Sequence, residues 1–124
     1  MWCFTWCKSK HYDKILFAMK LLFEQAITAQ KEGRFEEAEG LYRSILETHP
    51  KDSSVRNNFG ILLTRLGRFE EAEENYRKVI KFKLDYAEAH NNLAITLKKL
   101  NRFEDAEKSC KKAIELKPNY VDAY

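Results

Sequence analysis

The sequence predicts an all-α fold built from repeated antiparallel helix pairs, and three observations carry that prediction. The segments Gly33-Arg34-Phe35-Glu36-Glu37-Ala38-Glu39, Gly67-Arg68-Phe69-Glu70-Glu71-Ala72-Glu73 and Asn101-Arg102-Phe103-Glu104-Asp105-Ala106-Glu107 recur at a constant interval of 34 residues. Apolar residues between the recurrences follow helical rather than strand spacing. With only four Gly and two Pro among 124 residues, and abundant Ala, Leu, Glu and Lys, intrinsic propensity favours helix throughout. A composition of 44% hydrophobic and 33% charged residues is that of a chain that buries a core.

The elements follow in order. Residues 1–18 carry Trp2, Phe4, Trp6, Tyr12, Ile15 and Phe17 but no repeat signature, and are expected to extend the first helix and cap the array. The first repeat spans 19–52, the second 53–86 and the third 87–120, while Val121-Asp122-Ala123-Tyr124 parallels Ala87-Glu88-Ala89-His90 as the start of a truncated fourth. Within the second unit, Phe59, Leu62, Leu63 and Leu66 mark one helix, and Phe69, Ala72, Tyr76, Val79 and Ile80 the next. Gly33 and Gly67 stand between paired helices, where a left-handed residue is needed, and Asn101 is the next most tolerant residue for that conformation. Small residues at Gly60, Ala72, Ala94, Ala106 and Ala113 allow close helix approach, with Phe35, Phe69 and Phe103 beside the turns. One such pair cannot bury its apolar face alone, whereas about three stacked pairs usually can.

With Pro50 and Pro118 closing units and Leu84 replacing the Pro expected between them, the stretch from Met19 to Tyr124 resembles the tetratricopeptide repeat family. That pattern is large–Leu–small–Tyr on the first helix of each unit and Ala–aromatic–Ala–Pro on the second. The resemblance implies a right-handed α-solenoid whose first helices line a concave groove. Its residues would come from Ile27 and Lys31 in the first repeat, Asn57, Asn58, Ile61 and Arg65 in the second, and Asn91, Asn92, Ile95 and Lys99 in the third.

Across repeats these form an isoleucine row (Ile27, Ile61, Ile95), an asparagine row (Asn58, Asn92) and a cationic row (Lys31, Arg65, Lys99). An Asn amide both donates and accepts, so successive Asn side chains can pair with an extended peptide backbone. Asn is a poor helix-interior residue, and its recurrence there calls for a compensating role. The isoleucines fit ligand burial or packing between first helices, and the cations fit either an acidic ligand or ordinary surface charge near a helix end. Glu36-Glu37, Glu70-Glu71 and Glu104-Asp105 open second helices, where they favour the dipole.

The carboxylate-gripping set of some family members is missing: Phe23, Ile27, Glu88 and Asn92 occupy its places, and only Asn58 agrees. The asparagine row is instead similar to that of the superhelical arrays of O-linked N-acetylglucosamine transferase-like proteins, as is Lys117-Pro118-Asn119-Tyr120-Val121-Asp122-Ala123-Tyr124.

Other classes find little support. The net charge of +3 resides in the first twenty residues, leaving a neutral body, so a nucleic-acid partner is not expected. The longest apolar stretch, Ile15 to Met19, is too short to span a bilayer. Three cysteines, an odd number, suit a reducing compartment, and a cytoplasmic location is expected. No Gly-rich phosphate loop, His-Glu-x-x-His pair or calcium loop occurs, so no catalytic residue and no cofactor is expected. Cys3, Cys7 and His11 share a helical spacing that zinc could use, but no fourth ligand is near in sequence, and structural roles for the cysteines outweigh a metal site. His49, His90 and Cys110 read as structural.

The expected function is a non-catalytic scaffold that holds an extended peptide or partner helix in its groove. The alternative is the N-terminal recruiting part of a larger enzyme, an O-GlcNAc-type glycosyltransferase or a sulfotransferase. Self-association through the open last repeat is a further expectation.

Overall fold

In a computed structural model, which describes residues 2–117 and their side chains from Lys14 onward, every regular element is a helix. The stub at 121–124 and the side chains of Cys3, Cys7 and His11 lie outside the described residues. The chain divides into two compact units, Met1–Thr48 and His49–Tyr124. The first holds α1 (Trp2–Lys31) and α2 (Phe35–Thr48). The second holds α3 (Ser53–Arg65), α4 (Phe69–Phe82), α5 (Ala87–Lys99) and α6 (Phe103–Leu116).

The same turn joins the helices within each pair. Gly33, Gly67 and Asn101 adopt φ of 81°, 76° and 61°. In each turn the following Arg N–H bonds back to a carbonyl five residues earlier: Arg34 to Ala29, Arg68 to Leu63, Arg102 to Leu97. The left-handed residue itself bonds three residues back, to Gln30, Thr64 and Lys98. This doubly bonded ending satisfies carbonyls that a helix C-terminus otherwise leaves open. A Cβ built at Gly33 or Gly67 would meet nothing within 4 Å, so the backbone angle, not space, selects glycine there. Each Arg then pairs with the acid three residues on: Glu37, Glu71 and Asp105.

In the first unit the second half of α1 packs on α2 around Ala26, Ala29, Ala38, Tyr42 and Ile45. Tyr42 is fully buried; its hydroxyl donates to Gln30 Oε1 at 2.8 Å, and its ring meets Phe23 edge-on. Toward the start of α1, Ile15, Leu16, Phe17 and Leu21 are exposed.

In the second unit α3 packs on α4, α4 on α5 and α5 on α6. Val55, Leu62, Leu63, Tyr76, Val79 and Leu97 form the fully buried centre. Gly60 makes the closest approach, since a Cβ there would sit 2.6 Å from Tyr76 Cε1. Asp52 caps α3 by accepting from Val55 N–H. The Arg56 guanidinium ties α3 to α4, donating to Asn75 Oδ1 at 3.0 Å and to the Pro50 carbonyl at 2.7 Å. His90 is buried, with Nε2 3.1 Å from the carbonyl of Leu84, the residue standing in place of Pro. Cys110 is half-buried.

Candidate functional site

Helices α3 and α5, the first helices of the second and third repeats, carry most of the residues expected to meet a ligand. On α3, Asn58, Ile61 and Arg65 fall at i, i+3 and i+7 and so share one face. Asn92, Ile95 and Lys99 do the same on α5. Asn58, Asn92 and Ile61 are half-buried, Arg65 and Lys99 are exposed, and Ile95 is 41% exposed. On α1 the corresponding Ile27 is half-buried and Lys31 exposed.

Two expected groove residues belong elsewhere. Asn57 and Asn91 are 3% and 4% exposed, too little surface for a ligand to use. Each lies one residue, about 100° of helical rotation, from the face that carries Asn58 or Asn92.

A polar seam joins α3 to α5. Asn92 Nδ2 donates to Asn57 Oδ1 at 3.2 Å, and the hydroxyls of Thr64 and Thr96 lie 3.4 Å apart. Each hydroxyl also donates within its own helix, Thr64 to the Gly60 carbonyl and Thr96 to the Asn92 carbonyl, both at 2.9 Å. Asn58 Nδ2 likewise donates to the Ser54 carbonyl at 2.9 Å. Beneath this seam, burial pushes the Tyr76 hydroxyl up to about 12 against a smaller opposing influence of the neighbouring Thr64. The phenol therefore remains a neutral group that anchors the packing below the seam.

The 34-residue repeat does not reveal these pairings. Asn57 meets Asn92 and Thr64 meets Thr96 at separations of 35 and 32 residues, because packed helices contact through staggered ridges rather than equivalent positions. Thr96 is aligned by period with Leu62, so the only sequence signal for it was a β-branched hydroxyl in a helix interior.

Chemically, the surface offers amide donors and acceptors, an exposed aliphatic side chain and cations. Among the described residues no cluster of His, Cys, Asp and Glu has the arrangement of a metal site. No described helix is long and apolar enough to cross a membrane.

Comparison with known proteins agrees with this architecture. Family models described as a tetratricopeptide repeat match residues 21–56, 41–74 and 87–120, and one described as a TPR repeat matches 60–101. No curated protein sequence gives a match. Among similar solved structures is the first TPR of Spaghetti (RPAP3) bound to the HSP90 peptide SRMEEVD, at 24% identity over 85% of this chain and 83% of that one, TM-score 0.82. YrrB, a TPR protein with an unusual peptide-binding site, is 23% identical over 85% of this chain and 54% of its own, TM-score 0.80. A variant of the Thermobaculum terrenum O-GlcNAc transferase is 27% identical over 85% of this chain but only 20% of its own, TM-score 0.79. The fold class is an all-α helical-repeat solenoid.

Proposed function

The chain belongs to the tetratricopeptide repeat family, and from that premise we propose that it is a non-catalytic protein-interaction module binding an extended peptide along its first helices. The observation that carries this reading is the shared face of Asn58, Ile61 and Arg65 on α3 and of Asn92, Ile95 and Lys99 on α5, with Ile95 left 41% exposed. An exposed β-branched side chain beside hydrogen-bonding amides offers a peptide both apolar burial and backbone pairing. On α1, Ile27 and Lys31 hold the same places in the repeat period. Two similar structures, one bound to an HSP90 peptide and one with a peptide-binding site, support peptide recognition as the mode.

The test is calorimetric titration with a peptide selected from a random library on the wild-type chain. Asn58→Ala combined with Asn92→Ala is expected to weaken that peptide while leaving the helical circular dichroism unchanged. An unaltered dissociation constant refutes the groove.

A second reading draws on the transferase, a fifth of whose chain this one matches. Here the repeats recruit substrates or partners for a catalytic domain further along the same polypeptide. Reading the gene beyond Tyr124 decides it: an open frame entering a transferase domain supports this reading, and a stop codon removes it.

A further inference from the structure

We infer that Asn57, although buried, is a positioning residue of the proposed groove: it fixes the amide of Asn92 so that its carbonyl oxygen is left for the ligand, which is thereby selected for N–H donors. The inference rests on the groove reading above and deepens it.

The argument starts from the side chain itself. An Asn amide carries one carbonyl acceptor and two N–H donors, and a partner that engages one N–H fixes the plane in which the carbonyl is presented. Asn92 Nδ2 is held 3.2 Å from Asn57 Oδ1, and Asn57, 3% exposed, sits among packed neighbours that limit its rotation. Asn92 itself is half-buried, so part of its amide is open to solvent. The bond therefore holds Nδ2 of Asn92 toward α3 and fixes the amide plane that carries Oδ1. Asn58 repeats the arrangement by a different route, because its Nδ2 donates to the Ser54 carbonyl of its own helix. In both amides the nitrogen already has a protein acceptor, and neither Oδ1 accepts a hydrogen bond among the described residues, so the carbonyl oxygens are left for a ligand. The seam continues through Thr64 and Thr96, whose hydroxyls donate into their own helices.

An extended peptide aligned along this surface would meet acceptors with its backbone N–H groups. The exposed cations Arg65, Lys98 and Lys99 at the C-terminal ends of α3 and α5 would favour carboxylate side chains on the same peptide. The ligand class is accordingly an extended, acidic segment read through its N–H edge.

Four variants and one chemical series test this with the selected peptide. Asn57→Leu removes the acceptor at similar size and is expected to weaken binding about threefold to tenfold, the effect of losing one neutral hydrogen bond's worth of orientation. Asn92→Ala should weaken it equally, and the double variant no further. Asn57→Asp keeps an acceptor oxygen in either protonation state and should bind like the wild type. N-methylation along the peptide should identify one N–H whose loss matters in the wild type and not in Asn92→Ala.

If Asn57→Leu binds as wild type while Asn92→Ala does not, Asn57 positions nothing and the groove still stands. If neither Asn92→Ala nor Asn58→Ala alters binding, the groove itself falls. If methylation is harmless at every position, the acceptor edge is wrong. Independently of any peptide, the Asn92 side-chain NH2 protons should exchange faster in Asn57→Leu than in wild type or Asn57→Asp; equal rates overturn the positioning role.

Discussion

Gly60 lies under the ring of Tyr76, with no room between them for a methyl group: a Cβ on Gly60 would stand 2.6 Å from Cε1 and 2.7 Å from Cζ. Two effects therefore oppose each other in Gly60→Ala. Removing a mid-helix glycine gains about 1 kcal/mol of propensity, whereas overpacking a buried ring against a neighbouring helix costs typically 1–3 kcal/mol, so a net loss of about 1 kcal/mol is expected. Urea unfolding would measure it. The next repeat carries Ala94 and Cys110 at the equivalent positions, with the methyl added and the ring removed. Gly60→Ala with Tyr76→Cys should accordingly lose less than the two single changes summed, and strict additivity would contradict the contact.

The left-handed turns give a prediction of opposite sign at two sites. Gly67 has φ of 76° in open space, so Gly67→Ala is expected to lose about 1 kcal/mol to backbone strain alone. Asn101 has φ of 61° with an ordinary side chain, so Asn101→Gly should be neutral or stabilising by a few tenths of a kcal/mol. Midpoints of chemical denaturation for the two variants should shift in opposite directions, or at least differ by more than the error of the measurement. Equal losses would mean that the conformation is not what selects these residues.

Tyr42 and Tyr76 predict an alkaline limit. Both hydroxyls are pushed by burial from 10.0 to about 12, so between these values the unfolded chain releases protons that the folded chain keeps. For an acid whose folded value is raised, the stabilisation is complete below pH 10 and is lost as pH climbs toward 12. Thermal melts from pH 9 to 12 should therefore fall steeply for the wild type. Tyr76→Phe, which has no phenol to ionise, should fall with a shallower slope. A slope identical to wild type would exclude Tyr76 as a contributor.

Much of this architecture is legible in the sequence because the repeat reports one backbone solution three times. Gly33, Gly67 and Asn101 share a period, and the structure gives all three a positive φ and the same pair of back-bonds. The site is less legible, because a face is decided by rotation and by stagger between helices. Neighbouring asparagines look alike in sequence, yet Asn57 is buried and Asn58 is half-buried. Asn57 bonds Asn92 rather than its periodic equivalent, Asn91. The 34-residue interval locates equivalent environments; it does not say which residues touch.

Ile95 separates the two roles open to the isoleucine row. A side chain that packs between helices is buried, and its truncation removes both transfer energy and packing, typically 2–5 kcal/mol for an aliphatic residue reduced to Ala. Ile95 is 41% exposed, whereas Leu97 two residues on is fully buried. Ile95→Ser should therefore change stability by less than about 1 kcal/mol, near the range of ordinary surface substitutions, while Leu97→Ala should lose several times as much. If Ile95 meets a ligand, the same Ile95→Ser must weaken the selected peptide although the fold is intact, because the apolar area buried on binding goes with it. Ile61→Ser, at a half-buried position on α3, should show a mixture: a measurable loss of stability and a loss of affinity together. Denaturation and titration run on the same three variants answer both questions. An Ile95→Ser protein as stable as wild type and binding as tightly would leave that exposed side chain with neither role, and would remove the isoleucine row from the groove.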